Sequence, residues 1–221
     1  MLYIVPTPIG NLKDFTFRAV EVLSEVDKIL AEDTRVTSKL LSHYHISKPL
    51  ISYHDHNEHR ILEKIIEELK SGIKFAIVSD AGTPLISDPG FLLVRECHKV
   101  GIEVVALPGA SALTTALSAS GLPTDKFHFE GFLPHKKGRS KRWEWLKEYK
   151  GSIVFYESPH RLKKLLQEIN DNLGDETLVC VAKEISKIYE SYNLKSVSEL
   201  LLEFKDENKI RGEYVIILYN Q

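Results

Sequence analysis

The chain has 221 residues, of which 43% are hydrophobic and 27% are charged, and its formal net charge is −2. This length suits one large domain or two of modest size, each with its own core. A net charge so close to zero excludes a global basic field, so any site for a polyanion has to be a local patch. Cys97 and Cys180 lie far apart without a CxxC partner, which argues against a disulfide scaffold and a structural zinc site.

The N-terminal apolar run, residues 2–5, ends at Pro6. It has the length of a buried strand and is too short for the core of a signal peptide. The other apolar runs are also of strand length, so we expect no membrane span. The cytoplasm is the expected location.

Strand-like runs alternate with amphipathic stretches through the first half of the chain. Alternation of this kind predicts parallel strands joined by crossover helices, with ligands bound beyond the carboxyl ends of the strands. Thr16 is the predicted N-cap of the first helix. The predicted strands are residues 2–5, 29–31, 75–78 and 103–107, and the later predicted helices are residues 38–43, 58–70 and 91–100 and a segment from Ser111.

The pattern restarts after a Gly- and Pro-containing segment at residues 121–125, which has the composition of a linker. We therefore predict an N-terminal domain over residues 1–118, a linker over 119–124 and a C-terminal domain over 125–221. In the second domain the predicted strands are 127–129, 153–156, 178–182 and 214–219, and the predicted helices are 140–149, 161–172 and 197–204.

The loop at residues 79–90, SDAGTPLISDPG, is the most informative segment. Its glycines permit backbone conformations that other residues avoid, and its prolines fix the path of the chain. It carries carboxylates and hydroxyls but no Lys or Arg, and no phosphate-binding GxxxxGK motif is present. The loop therefore favours a ligand with an amine, ribose hydroxyls or a sulfonium cation. Asp88 and Pro89 are also predicted to begin the next helix as its N-cap and N1 residues.

Three other strand-end segments are less specific. PTPIGN at residues 6–11 is equally compatible with a rigid turn and with a ligand loop, and it lacks the GxGxxG pattern of dinucleotide-binding proteins. EDTR at residues 32–35 can cap a helix or orient a substrate. HDHNE at residues 54–58 does not place three ligands on one helix face, so a polar loop facing the substrate is favoured over a metal site.

Residues 133–142 contain five Lys and Arg residues, the one concentrated basic cluster. A solvated loop and a contact with a phosphate backbone remain alternatives for it. Polar groups also follow two strands of the second domain, in YESPHR at residues 156–161 and KEISK at residues 183–187. No Ser-His-Asp or Cys-His set is evident from spacing, which disfavours nucleophilic catalysis.

Together these motifs resemble the tetrapyrrole-methylase superfamily, and within it the branch that methylates the ribose 2′-hydroxyl of a cytidine in small-subunit (16S) ribosomal RNA. The resemblance runs through PTPIGNL, AEDTR, HDHNE, SDAGTPLISDPG, ALPGASA, SGLPTDKFHFEGFLP, YESPHR, KEISK and RGEYVI. It implies two α/β domains of the non-Rossmann methyltransferase type with the ligand cleft between them. It also implies S-adenosylmethionine as cofactor, no metal, a homodimer, and 16S rRNA or the assembled small subunit as partner.

The motifs and the resemblance together predict the site residues. Glu184 or Glu157 would act as the general base, and Lys183, Arg35 or Arg161 would stabilise the developing oxyanion. Phe132, Tyr156 and His56 are candidates for stacking on the target base. RNA contacts are expected from Lys136, Lys137, Arg139, Arg142 and Arg161. The expected cofactor-binding residues are Pro8, Ile9, Gly10, Asp80, Gly82, Thr83, Leu85, Ile86, Ser111, Ala112, Tyr156, Gly212 and Glu213.

Two departures from the family pattern bear on these expectations. Residues 188–195 differ from the usual H-E-x-x-R-G, and the chain stops soon after its final strand, where many family members carry a further small domain. The second departure gives the basic cluster more weight as an RNA contact. Two other functions remain open: methylation of a small tetrapyrrole by the same cofactor, and a non-catalytic module that binds adenosylmethionine or RNA.

Overall fold

The structure, a computed structural model, describes the backbone of residues 1–221 and every side chain except that of residue 207. Contacts divide the chain into two compact units, Met1–Ser111 and Ala112–Gln221. The first unit therefore ends at Ser111, whereas the sequence places the end of the first domain at residue 118. The reason is that the helix beginning at Ala112 packs on the last strand of the second unit.

The strands of the first unit form one parallel sheet in the order β3-β2-β4-β1-β5. Their carboxyl ends consequently lie at one edge. The strands are β1 (Leu2–Ile4), β2 (Lys28–Ala31), β3 (Leu50–Ser52), β4 (Phe75–Val78) and β5 (Val104–Ala106), and the helices are α1 (Phe17–Glu25), α2 (Thr34–His43), α3 (Glu58–Lys70) and α4 (Phe91–Lys99).

The central strand of the first unit and the start of its first helix agree with the predictions from the sequence. All four residues of β4 are buried, as expected for a central parallel strand covered on both faces. Thr16 caps α1 by accepting a hydrogen bond from the Ala19 N–H. The predicted cap of α4 is wrong, because the N-cap is Gly90 and Asp88 lies in the preceding loop. The short strand β3 was not predicted, since only three residues of it are paired.

The second unit contains a mixed sheet in the order β6-β7-β10-β8-β9. The expectation of parallel pairing holds only for β6 with β7, because β10 runs antiparallel to both β7 and β8, and β9 antiparallel to β8. The helices are α5 (Ala112–Ala119), α6 (Arg139–Glu148), α7 (Leu162–Leu173) and α8 (Val197–Glu203), and the strands are β6 (Phe127–Gly131), β7 (Gly151–Glu157), β8 (Leu178–Lys183), β9 (Ser191–Ser196) and β10 (Tyr214–Asn220).

One core cluster joins the helices of the second unit to its sheet. Trp143 of α6 and Leu166 of α7 lie in this cluster with Phe155 of β7 and Ile216 of β10.

Among the described residues, no helix has the length and apolar character needed to cross a membrane.

Candidate functional site

A pair of backbone hydrogen bonds joins two loops at the carboxyl edge of the first sheet. The Thr7 N–H donates to the Gly82 carbonyl oxygen at 2.9 Å, and the Gly82 N–H donates to the Thr7 carbonyl oxygen at 3.0 Å. The Thr7 hydroxyl adds a bond to the carbonyl oxygen of Ser79 at 3.1 Å. Residues 8–10, predicted to bind the cofactor, are thereby held beside the loop at residues 79–90.

Two further loops are tied to the same edge. The Thr83 hydroxyl donates to the Ala110 carbonyl oxygen at 3.0 Å, and the Asp33 N–H donates to Asp80 Oδ1 at 3.0 Å. A Cβ atom on Gly109 would stand 2.7 Å from the Cβ of Pro6, so only glycine fits there. The structure thus brings together the predicted residues of the first unit from the ends of β1, β2, β4 and β5.

The loop after β4 has an unusual backbone. Leu85 and Ser87 have φ values of +72° and +66°, in the left-handed region that residues other than glycine avoid. Such residues cost about 1–3 kcal/mol each and persist where the surroundings fix them, commonly at ligand sites. Gly82 has a φ of +85°, and an added Cβ would meet Ile9 Cγ2 at 3.2 Å.

Carboxylates accumulate at this edge, and burial together with neighbouring negative charge raises the pKa values of two of them. Burial, followed by the negative charge of Glu32, raises the pKa of Asp88 to about 6. Burial and the charge of Asp80 likewise raise the pKa of Glu32. Sequence reasoning treated Asp88 as a helix cap and gave Glu32 no separate role, because only the pairing of β2 with β4 brings these groups together.

A pocket of about 330 Å³ adjoins Asp80. Pro8, Gly10 and Asp80 line it together with Thr37 and Lys39 of α2. Three residues expected to bind the cofactor therefore share one cavity within the first unit. The contribution of α2 to its wall was not apparent from the sequence.

Arg35 lies at the start of α2 and is paired within the chain. Its guanidinium contacts both oxygens of Asp33, with Nη2 at 2.6 Å from Oδ2, and this bond lowers the pKa of Asp33 to about 2. Asp33 also caps α2 by accepting from the Arg35 N–H. Because 86% of the Arg35 side chain is exposed, the guanidinium can still contact a ligand.

The predicted catalytic and cofactor-binding residues of the second unit, except Ala112 at the start of α5, lie at one edge of the second sheet. Tyr214, near the start of β10, pairs with Glu157 at the end of β7 and with Lys183 at the end of β8. The edge formed in this way carries Tyr156, Glu157, Lys183, Glu184, Gly212 and Glu213.

Glu157 is buried beneath this edge, with 2% of its surface exposed. Its Oε1 accepts from the Ser158 N–H at 2.8 Å and pairs with Arg161 Nε at 2.7 Å. Within the described structure its Oε2 has no hydrogen-bond partner. Arg161 also donates to the Leu133 carbonyl oxygen at 3.2 Å. This burial argues against Glu157 as the base that meets an acceptor.

Glu184 is similarly held by its neighbours. Its Oε1 accepts from the Glu213 N–H at 2.9 Å and from Lys187 Nζ at 3.0 Å. Burial raises the pKa of Glu184, but these two bonds outweigh it and lower the pKa below the ordinary value. A carboxylate with a lowered pKa is a weak general base. Lys183 is half-buried at the end of β8, and no described residue forms an ion pair with it.

The basic cluster separates into internal arginines and exposed lysines. Arg139 is only 6% exposed; its Nε and Nη2 bind Glu168 at 2.7–2.9 Å and its Nη1 binds the Pro134 carbonyl oxygen at 2.7 Å. Arg142 binds Glu130 at 2.6 Å and 2.7 Å. These bonds, and that of Arg161 to Glu157, give the three guanidinium groups partners within the chain, although 35% of the Arg142 side chain is exposed. Their contact with RNA stays a prediction. Lys136 and Lys137 are exposed.

In the part of the chain that the structure describes, no three or more His, Cys, Asp or Glu side chains are arranged to hold a metal ion. In the polar loop at residues 54–58, the rings of His54 and His56 contact each other with centroids 5.9 Å apart.

Comparison with known proteins identifies the family. The family described as Tetrapyrrole (Corrin/Porphyrin) Methylases matches residues 1–201. The chain belongs to this family. The solved structure of uroporphyrin-III-C-methyltransferase from Thermus thermophilus covers 99% of this chain and is itself covered to 94%, with a TM-score of 0.66 and 18% identity. The family resemblance of the motifs and the two α/β units are thereby confirmed.

Curated relatives within the family are more similar in sequence. Proteins named Ribosomal RNA small subunit methyltransferase I are 49% identical in Vibrio cholerae, over 99% of this chain and 77% of the relative, and 51% identical in Escherichia coli O157:H7, over 98% and 77%. The protein of the same name from Thermotoga maritima is 49% identical over 98% of this chain and 97% of its own length.

The internal bonds of Arg139 predict a structural role. Arg139→Ala leaves Glu168 without its main partner, and removing one member of a buried pair costs about 3–5 kcal/mol in the free energy of unfolding. Urea unfolding followed by tryptophan fluorescence reports the second unit, since both tryptophans, Trp143 and Trp145, lie there. The exposed control, Lys137→Ala, changes the free energy by less than about 0.5 kcal/mol. Equal stability of the two variants would contradict this role.

The raised pKa of Asp88 predicts a pH-dependent stability. Its ordinary value is 3.8 and its folded value about 6, so between these values the folded state holds a proton that the unfolded state has lost. This contribution to stability is fully present below about pH 4 and is lost as the pH rises through about 6. Asp88→Asn should remove this loss of stability at higher pH, because an amide does not ionise. Urea unfolding at pH 4.5 and pH 7.5, followed by circular dichroism, should give a smaller difference for the variant than for the wild type; identical differences would refute the assignment.

Proposed function

We propose that the protein is an S-adenosylmethionine-dependent methyltransferase of small-subunit ribosomal RNA, and that its acceptor is the ribose 2′-hydroxyl of a cytidine in 16S rRNA. The observation that carries the substrate class is identity of about 50% to the ribosomal RNA small subunit methyltransferases over nearly the whole chain. The assignment of a cytidine 2′-hydroxyl as the acceptor is based on the sequence motifs that resemble the ribose-methylating branch.

A small tetrapyrrole is the competing acceptor. The solved uroporphyrin-III-C-methyltransferase shares 18% identity with this chain, which supports a common fold and carries no argument about the acceptor. The exposed Lys136 and Lys137 favour a polyanionic acceptor such as RNA. A non-catalytic binding module is disfavoured because half-buried Lys183 stands at the same sheet edge as Gly212 and Glu213.

The first unit suits adenosylmethionine in both charge and shape. The ligand is a sulfonium with an ammonium group, and the raised pKa values of Glu32 and Asp88 indicate a place where a cation is stabilised. Gly82 has no Cβ to fill the space beside Ile9. We therefore propose that residues 8–10, Asp80 and Thr83 hold the cofactor, with Gly82, Leu85, Ile86 and Ser111 beside them.

Ala112, Tyr156, Gly212 and Glu213 of the second unit are also proposed to contact the cofactor, as the family motifs imply. When bound, the cofactor supplies an electrophilic methyl group whose leaving group is already good. The protein has mainly to align the acceptor oxygen, and near-ideal alignment is worth about 7–11 kcal/mol. Lys183 is our candidate for stabilising negative charge on that oxygen, because Arg161 is paired with Glu157.

Arg35 is exposed and pre-oriented by Asp33, which suits a contact with the acceptor's phosphate. We further propose that the enzyme works in the cytoplasm, where ribosomal subunits are made, and as a homodimer, as the family motifs imply.

Methyl transfer to ribosomal particles tests the function directly. The full chain is incubated with methyl-labelled adenosylmethionine and small ribosomal subunits that lack the modification, and separately with a tetrapyrrole acceptor. We expect label in 16S rRNA at a ribose that resists alkaline cleavage on its 3′ side, because a methylated 2′-oxygen cannot attack the adjacent phosphate. Label only in the tetrapyrrole, or binding without transfer, would overturn the proposal.

Lys183→Met tests the role of the half-buried lysine. Loss of a group that stabilises charge in the transition state lowers kcat by about 100-fold and leaves binding of the methyl donor nearly unchanged. The control is Lys209→Met, since 85% of the Lys209 side chain is exposed. Turnover by Lys183→Met equal to that of the control would remove Lys183 from the mechanism.

A further inference from the structure

We propose that Phe132 and the exposed lysines that follow it form a preformed docking surface for single-stranded RNA, with an unpaired base stacked on the Phe132 ring. This surface, Phe132 with Lys136 and Lys137, lies in the second unit directly after β6. The inference rests on the proposed function for the identity of the RNA.

A β-bulge sets the direction of Phe132. Phe129 pairs with Val154 and Gly131 pairs with Phe155, so Glu130 is an extra residue in β6. Side chains alternate along a strand, and a one-residue slip transfers those that follow to the other face of the sheet. The bulge therefore places Phe132 on the face that carries Phe129 and Tyr156. Gly131 takes a φ of +67° at this point.

Aromatic rings support Phe132 from below. Tyr156 contacts Phe129 with ring centroids 5.0 Å apart and an interplanar angle of 70°, and it contacts Phe132 at 5.7 Å and 65°. Edge-to-face contacts of this kind hold a ring in place. Yet 54% of Phe132 is exposed. A ring that is fixed on one side and open to solvent on the other is the form used for stacking unpaired bases.

Two arginines anchor the backbone immediately after Phe132. The carbonyl oxygen of Leu133 accepts from Arg161 Nη1 at 3.2 Å and from Arg139 Nη1 at 3.4 Å, and that of Pro134 accepts from Arg139 Nη1 at 2.7 Å. Leu133 itself is buried. The loop thus begins from a fixed backbone, which reduces the entropy lost on binding.

The exposed lysines that follow Phe132 in the chain indicate which molecule supplies the stacked base. Lys136 and Lys137 are exposed, and lysines at that position match the phosphates that flank every RNA base. Adenosylmethionine also offers a base but has no phosphate, and the carboxylate cluster suited to its cations lies in the first unit. We therefore assign Phe132 to the RNA.

The experiment compares Phe132→Ala with Phe127→Ala in the full chain. Phe127 is similarly exposed, at 43%, and stands at the other end of β6, so it controls for the loss of a surface phenylalanine. The readouts are KM for small ribosomal subunits, KM for adenosylmethionine, and Kd for a single-stranded RNA oligonucleotide of mixed sequence.

We expect Phe132→Ala to raise the RNA KM and Kd by about 5- to 100-fold, as for loss of one stacked base. KM for adenosylmethionine changes much less, because Tyr156 keeps its contact with Phe129. Phe132→Trp restores binding, and Phe127→Ala matches the wild type. The slope of log Kd against log salt stays the same in Phe132→Ala, whereas Lys136→Ala lowers its magnitude by about 0.7, the value for one single-strand phosphate contact.

Unchanged RNA binding in Phe132→Ala overturns the inference, and so does a change confined to KM for adenosylmethionine. Failure of the wild type to methylate ribosomal subunits would instead refute the proposed function. The oligonucleotide measurement does not depend on methylation and still decides whether Phe132 binds RNA.

Discussion

The backbone bridge between Thr7 and Gly82 is the constraint on which the first unit's site depends. Its two hydrogen bonds tie the loop after β1 to the loop after β4. The second of these loops then holds the other two, through Asp80 to Asp33 and through Thr83 to Ala110. Together with the bond from the Thr7 hydroxyl to Ser79, the bridge therefore holds the loop after β1 beside the loop that carries Asp80 and Asp88. Glycine at position 82 is part of the same constraint, because the bridge is made with a left-handed φ.

Charged side chains have different surroundings in the two units. In the first unit, burial and then the negative charge of a neighbouring carboxylate raise the pKa values of Glu32 and Asp88. In the second unit, the planar guanidinium groups of Arg139 and Arg161 bind backbone carbonyl oxygens and carboxylates. The lysines, whose ammonium groups are strongly hydrated point charges, stay in solvent. A basic cluster that looks uniform in sequence is thus divided between arginines that bind within the chain and lysines that are exposed to solvent.

Much of the fold and part of the site could be predicted from the sequence. The buried strand β4 and the amphipathic helix α3 were evident from periodicity, and the loop after β4 from its glycines, prolines and carboxylates. What the sequence could not reveal depends on pairing between distant segments. The place of β10 between β7 and β8 makes the second sheet mixed, and it sets Glu157 and Lys183 beside Tyr214. Likewise, the burial of Arg139 depends on Glu168, which lies on the next helix.

Because Glu130 is an extra residue in β6, the face that the Phe132 ring occupies depends on the number of residues in this strand. Deleting Glu130 would restore regular alternation and turn the following ring toward the opposite face, with every aromatic residue retained. When members of the family are compared, the spacing between Phe129 and Phe132 is accordingly a better guide to the face that the second ring occupies than the presence of the phenylalanines themselves.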